Sequence, residues 1–291
     1  MKIFLAGATG VVGRRLGPRL AAAGHDLLAV TRDPDRAARL RRAGTAAAVL
    51  DVLDADAVRA ALEGFGPDLV MHQLTDLSTG SSAANARLRR VGTRHLVDAA
   101  RGLGVGAMVA QSIAWAYEPG STPADEAVPL DTGAPPPREV TVAAVEELER
   151  AVATMPRGVV LRYGALYGPG TWYAEVGRIA EQVRAGGVPA TRDVTSFLHV
   201  DDAVTAAVQS LGWPAGPVNV VDDDPATGLE WLPAYSAALG GPAPAVDLAG
   251  PTRTRPVSNA RAAALGWRPA HPTWRTGLIP GAPARSPSPA G

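Results

Sequence analysis

Hydrophobic positions along the chain fall into short continuous runs separated by longer stretches with a helical period. The first run, Ile3-Phe4-Leu5-Ala6, is followed by Gly7, Gly10 and Gly13 and then by apolar positions at Val12, Leu16 and Leu20. A run of four to six apolar residues suits a strand buried on both faces, and recurrence every three or four residues suits a helix packed on one side. Further strands are predicted at 25–31, 46–50, 68–74, 107–111, 158–163, 196–200 and 217–221. Helices are predicted around 37–43, from Asp54 through Leu62, over 82–102, over 140–155, over about 173–185 and over 201–211. Strands alternating with helices of this length imply right-handed crossovers and a parallel sheet covered on both sides. The fold expected is α/β, a doubly wound parallel sheet of Rossmann type, with a small, mostly helical C-terminal lobe.

Punctuation sharpens this picture. A loop rich in Pro, Gly and Asp spans 117–137, long enough to be functional. After the strand ending at Tyr163, the stretch 164–170 breaks the regular pattern. The expected division is residues 1–164 and 197–222 for a dinucleotide-binding domain and 165–196 and 223–279 for a substrate lobe. Residues 280–291 are mostly Pro, Ala, Ser and Gly and are expected to be a disordered tail.

Composition narrows the chemistry. In 291 residues, 28 basic side chains balance 28 acidic ones, so nothing suggests a nucleic-acid partner or an anionic membrane surface. There is no cysteine, which excludes disulfides, thiolate catalysis and thiolate metal sites. No His, Asp and Glu cluster has metal-ligand spacing, so no metal is expected. No apolar stretch approaches the length of a membrane span and no secretory signal is visible, so a cytoplasmic protein, monomeric or homodimeric, is expected. The only lysine is Lys2, at the start of the first strand.

The first strand, its glycines and the helix behind them form a phosphate cradle. Glycine permits positive φ and close approach of a ligand, and a helix N-terminus offers free N–H groups and the positive end of its dipole. Gly7, Thr9, Gly10, Val11, Val12 and Gly13 are therefore candidate dinucleotide contacts. At the end of the second strand Arg32 suits the 2′-phosphate of NADP, while Asp33 and Asp35 stand close enough to keep NAD open. Asp51 and Val52 end the third strand where adenine would lie, and Leu74 and Thr75 leave the fourth along the cofactor. Ser112 ends the fifth strand and Tyr163 the sixth. Ligands in such sheets lie beyond the C-terminal strand ends, where all these residues fall.

Together the motifs resemble the extended, or atypical extended, short-chain dehydrogenase/reductase superfamily, close to nucleoside-diphosphate-sugar epimerase-like proteins. The resemblance rests on the glycine turn, on Asp51-Val52, on the segment 161–170, on Phe197-Leu198-His199-Val200-Asp201-Asp202-Ala203 and on Leu265-Gly266-Trp267-Arg268-Pro269. It implies NAD(P)-dependent chemistry on a small-molecule substrate, with a Ser or Thr after the fifth strand and a Tyr-x-x-x-Lys on the following long helix. Ser112 fits the first, but the helix 140–155 contains neither tyrosine nor lysine. General acid–base help is worth about 10² to 10⁴ in rate, so a substitute is expected among Ser112, Tyr117, Tyr163, Tyr167 and His199. Trp172, Tyr173 and Trp231 suit either an apolar pocket or the packing of the lobe. Three functions remain open: an NADP-dependent oxidoreductase on a carbonyl or conjugated substrate with a non-standard proton donor; a non-redox isomerase, cyclase or lyase; and a non-enzymatic NADP(H)-sensing binding protein.

Overall fold

A computed structural model describes residues 1–75, 81–250 and 252–279. The chain opens as β1 (Lys2–Ala6), α1 (Gly13–Ala22), β2 (Asp26–Thr31), α2 (Pro34–Arg42), β3 (Ala46–Val49), α3 (Ala55–Phe65) and β4 (Leu69–His72). It continues through α4 (Ser82–Arg87), a π-helical turn (Leu88–Gly92), α5 (Thr93–Gly102), β5 (Ala107–Ile113), α6 (Arg138–Val152) and β6 (Arg157–Tyr163). The remaining elements are β7 (Ala165–Tyr167), α7 (Arg178–Arg184), β8 (Val194–Thr195), β9 (Phe197–His199), α8 (Val200–Gln209), β10 (Gly216–Val220), β11 (Ala226–Thr227), α9 (Gly228–Ala238), α10 (Ala260–Ala264) and α11 (Trp274–Gly277).

Seven strands form one sheet in the order β10-β6-β5-β4-β1-β2-β3, with parallel pairing throughout. This is the doubly wound Rossmann-like architecture read from the alternation of runs. Side chains alternate across β1: Ile3 and Leu5 enter the core shared with α1 and α8, while Phe4 and Ala6 enter the core under α3, α5 and α6. All four are fully buried, which is why the run carries no polar residue. The order also reverses beside β1, whose neighbours are β2 and β4, and that reversal opens a crevice at the C-terminal edge.

Three local expectations need correction. The stretch 196–200 does not join the large sheet: β9 pairs with β7 in a separate two-stranded parallel unit. The predicted helix 173–185 is regular only from Arg178, because Gly177 is extended before it. The helix predicted over 82–102 is one path of chain, but its centre widens into the π-helical turn, which a simple period does not reveal. The predicted tail 280–291 lies outside the described residues.

Around β7 and β9 the aromatic residues make their own core. Tyr167, Phe197, Trp231, Tyr235 and Trp274 cluster there, with Tyr173 and Phe197 meeting edge to face at 5.5 Å. Trp231 thus packs the lobe, whereas Trp267 is buried in the core beneath α8 and donates its indole N–H to the Asp202 carbonyl at 3.3 Å. Among the described residues, no helix is long and apolar enough to cross a membrane.

Candidate active site

The glycine turn is built by contacts that exclude side chains. Gly7 has φ +90°, and a Cβ there would stand 2.6 Å from the Gln73 carbonyl oxygen on the neighbouring strand exit. The Gly10 N–H donates to the Gly7 carbonyl at 3.1 Å, closing the turn. A Cβ on Gly13 would run into that same carbonyl, so the third glycine lets α1 start flush against the turn. No side chain caps α1; the N–H groups of Arg14 and Arg15 donate to the Gly10 and Val12 carbonyls, each at 3.0 Å, so an anion would be met by the N–H groups ahead of them. These features fit a dinucleotide diphosphate.

Along the same edge lies a cavity of about 1100 Å³, larger than most single-ligand sites and roomy enough for a dinucleotide with a small substrate beside it. Gly7, Thr9, Gly10, Val11, Val12, Arg32, Asp51, Val52, Leu74, Thr75, Ser112 and Tyr163 all line it. Gly13 lies behind the wall as a packing residue. At the β2 end, the Asp33 carboxylate accepts from Asp35 N–H at 2.9 Å and Arg36 N–H at 3.1 Å, capping α2. The N–H donors, that of Arg36 foremost, hold its carboxyl below the usual range. Thr31 accepts from Asp33 N–H at 3.2 Å and lies 3.4 Å from the Thr9 hydroxyl, tying the two strand exits together.

The expected proton donors are placed very differently from one another. Ser112 is in the cavity wall, but its hydroxyl donates to Glu149 Oε1 at 2.7 Å. Glu149, on α6, is held in turn by Arg162 through Nε at 3.0 Å and Nη2 at 2.5 Å. Burial opposes the Arg162 charge, yet the hydrogen bonds and charge of Glu149 outweigh it and raise the guanidinium pKa. With its proton directed at Glu149, Ser112 faces the cavity as an acceptor.

Tyr117, Tyr167 and His199, expected as candidate proton donors, are not among the residues that line this cavity. Tyr117 is buried; its hydroxyl donates to Asn219 Oδ1 and accepts from Arg162 Nη1, each at 2.6 Å. Burial raises its pKa despite that arginine. Tyr167 is fully buried in the lobe core, donates to the Thr273 carbonyl at 3.4 Å and is likewise raised by burial. His199 caps α8, its Nδ1 accepting from Asp201 N–H at 3.2 Å, and its ring stacks on His271 at 3.7 Å. Burial first, and then His271, lowers its pKa. His199, Asp202 and His271 do converge, a grouping that sequence spacing hides, but Asp202 already accepts from Ala270 N–H, His271 N–H and His271 Nδ1. Tyr163 alone among these rings reaches the cavity, its hydroxyl 3.4 Å from both Gln73 Oε1 and the Ala203 carbonyl.

Comparisons with known proteins agree with this geometry. Residues 3–220 match the NAD dependent epimerase/dehydratase family. The chain belongs to that family. A relative from Streptomyces sp named 3-diazoavenalumate denitrifying reductase is 46% identical, with 96% of this chain and 99% of the relative covered. The structure of UDP-glucose 4-epimerase from Thermus thermophilus with NAD is 25% identical with a TM-score of 0.74, covering 96% of this chain and 97% of that one. The dTDP-glucose 4,6-dehydratase from Streptomyces venezuelae shares the fold at a TM-score of 0.77 and 19% identity, over 96% and 95% of the two chains. The protein is thus an enzyme of the extended short-chain dehydrogenase/reductase type, an NAD(P)-dependent oxidoreductase or epimerase-like enzyme.

Several cavity residues escaped the sequence reading. Thr141 is the α6 side chain in the wall, and four residues on stands the buried Val145. Arg89 and Trp115 also line the wall without a signal in the sequence, and Glu149 stands behind Ser112. Arg89 sits in a helix read for its apolar face, and Glu149 acts through a contact between elements 37 residues apart.

Proposed function

We propose that this enzyme is an NADPH-dependent reductase that removes nitrogen from a diazo-bearing small molecule. The observation that carries the reading is the lack, among the described groups on the substrate side, of a proton donor poised near neutral pH. Ser112 has turned its proton to Glu149, and burial pushes Tyr173 up to about 12 and raises Tyr163. Reduction of a ketone would forfeit the help of a general acid. A diazonium substrate has no such need: reduced nicotinamide, when bound, supplies a hydride, and R–N₂⁺ with H⁻ gives R–H and N₂ with atoms and charge balanced. The Streptomyces relative's name joins a diazo group, loss of nitrogen and a reductase.

The chain's own residues then bind and orient. The glycine turn and the α1 N-terminus hold the diphosphate, Asp51 and Val52 flank adenine, and Leu74, Thr75 and Tyr163 border the nicotinamide half. Arg32 holds a 2′-phosphate at the C-terminal end of β2. Ser112 accepts from a hydroxyl of the substrate, and its Glu149–Arg162 support keeps it in that role. Trp115 and Trp172, exposed at the opening and each backed by an arginine at 5.2 and 5.3 Å, suit a flat conjugated molecule. Residues 165–196 and 223–279 form the substrate lobe in this reading.

The test is turnover of NADPH with a panel of arenediazonium salts, with and without a ring carboxylate, set beside quinones, enones and keto-sugars. One N₂ per NADPH, and deuterium carried from labelled cofactor to the product carbon, are expected for the diazo compounds. Reduction of the other acceptors alone, conversion after all nucleotide is stripped, or redox-selective binding without turnover would each overturn the proposal. Arg32→Ala should weaken NADPH about 10- to 100-fold, the loss of one or two charged hydrogen bonds, while NADH binding changes little.

A further inference from the structure

Four basic residues line the cavity: Arg32, Arg36, Arg89 and Arg255. Arg32 and Arg36 stand at the C-terminal end of β2 and in α2, at the adenosine end. Arg255 is on the lobe side, donating to the Thr122 carbonyl at 3.0 Å and its hydroxyl at 2.9 Å. Arg89 is apart from all of them. The helix that carries it is tied to the last residue of β4, because His72 Nε2 lies 2.9 Å from the hydroxyl of Thr93, one turn after Arg89; burial and then the Arg89 charge lower the His72 pKa.

That strand end has a fixed place on the ligand path. His72 pairs with Ala6, the residue before the glycine turn, on one side and with Ala110 of β5 on the other. A dinucleotide that begins at β3 and β2 and sets its diphosphate on β1 crosses β4 next, about 4.8 Å further along the sheet edge. The part that follows the diphosphate is the second ribose. We propose that Arg89 grips this nicotinamide-side ribose, donating to its hydroxyl oxygens. The inference rests on the dinucleotide site but not on the identity of the substrate.

Local structure supports a built site. Arg89 is only 6% exposed although it is charged, and burial lowers its pKa to about 10. A guanidinium so far from water needs acceptors on its remaining donors. It projects from the π-helical turn Leu88–Gly92, a widened turn of a kind frequent at functional sites. The adjacent Arg90 goes elsewhere, to Glu147 Oε1 on α6 at 3.1 Å. Gly92 keeps the turn seated on the strand exits, since a Cβ there would lie 3.0 Å from Val52 Cγ2. Of the described α6 residues, Thr141 reaches the cavity wall, so among them α6 sends no cation into it.

Calorimetry with two ligands tests the assignment. NADPH contains the second ribose; 2′,5′-ADP keeps the adenosine half and lacks it. Arg89→Met should weaken NADPH about 10- to 100-fold, the range for lost charged hydrogen bonds, and leave 2′,5′-ADP within about twofold of the parent protein. Arg89→Lys should recover part of the loss. Equal weakening of both ligands would make Arg89 a structural residue. Unchanged NADPH binding with a raised KM for a carboxylate-bearing substrate would assign it to substrate instead, and either result overturns the proposal. If Arg89→Met melts early, Arg89→Lys and Arg89→Gln, compared where both are folded, give the same two-ligand readout. Because the two-ligand comparison itself needs no turnover, it stands apart from success or failure with diazo compounds.

Discussion

Single side chains here change meaning with the partner they meet. Ser112 is at the strand end where a substrate-binding hydroxyl is expected, but Glu149 takes its proton and makes it an acceptor. Ser112→Ala should therefore raise KM about 2- to 10-fold through one lost hydrogen bond, with the Kd for NADPH unchanged. Glu149→Ala removes one member of a buried ion pair and leaves Arg162 uncompensated. A loss of about 3 to 5 kcal/mol in urea unfolding is expected, well beyond the Ser112 effect. His199 gives the opposite lesson. As the N-cap of α8 it contributes to stability, so His199→Ala should cost about 1 kcal/mol while kcat stays at the parent value, and His199→Asn should restore the cap.

At the scale of elements, the glycine turn is where local sequence and local structure agree most closely. Its spacing is readable because two of its glycines answer steric demands: positive φ and backbone contact at Gly7, and backbone contact at Gly13. Gly7→Ala combines a forbidden φ with a 2.6 Å approach to the Gln73 carbonyl, so loss of NADPH binding in calorimetry together with a lower Tm is expected. The helical path from Ser82 to Gly102 is less readable. Its buried side reads correctly through Leu88, Leu96 and Val97. The π-helical turn that sends Arg89 into the cavity and Arg90 to α6 adds no residue type that a period count would register. The β7–β9 unit was misread for a related reason: an apolar run shows that a strand is buried but not which strand it pairs with.

For the whole molecule, one buried carboxyl links fold to pH. Asp222, 2% exposed just after β10, has an Oδ2 without a partner, and burial above all pushes its pKa up to about 9. The folded value lies above the unfolded one, so between about pH 4 and pH 9 the native state keeps a proton that the unfolded chain releases. Its contribution is fully present below that window and declines as pH rises through it. Asp222→Asn cannot ionise and retains the acceptor for Asp224 N–H. Urea midpoints at about pH 5 and about pH 8 should differ less in this variant than in the parent protein.

The sequence by itself determined the parallel sheet and the dinucleotide-binding class. Both are encoded locally, in continuous apolar runs buried on two faces and in glycines demanded by backbone contact. Only the tertiary structure decided which hydroxyls face the cavity. It withdrew Tyr117, Tyr167 and His199 into packing and capping, turned Ser112 toward Glu149, and placed Arg89 in the cavity wall. Those outcomes depend on side-chain direction and on partners many residues away, and a pattern of residue types along one chain contains neither.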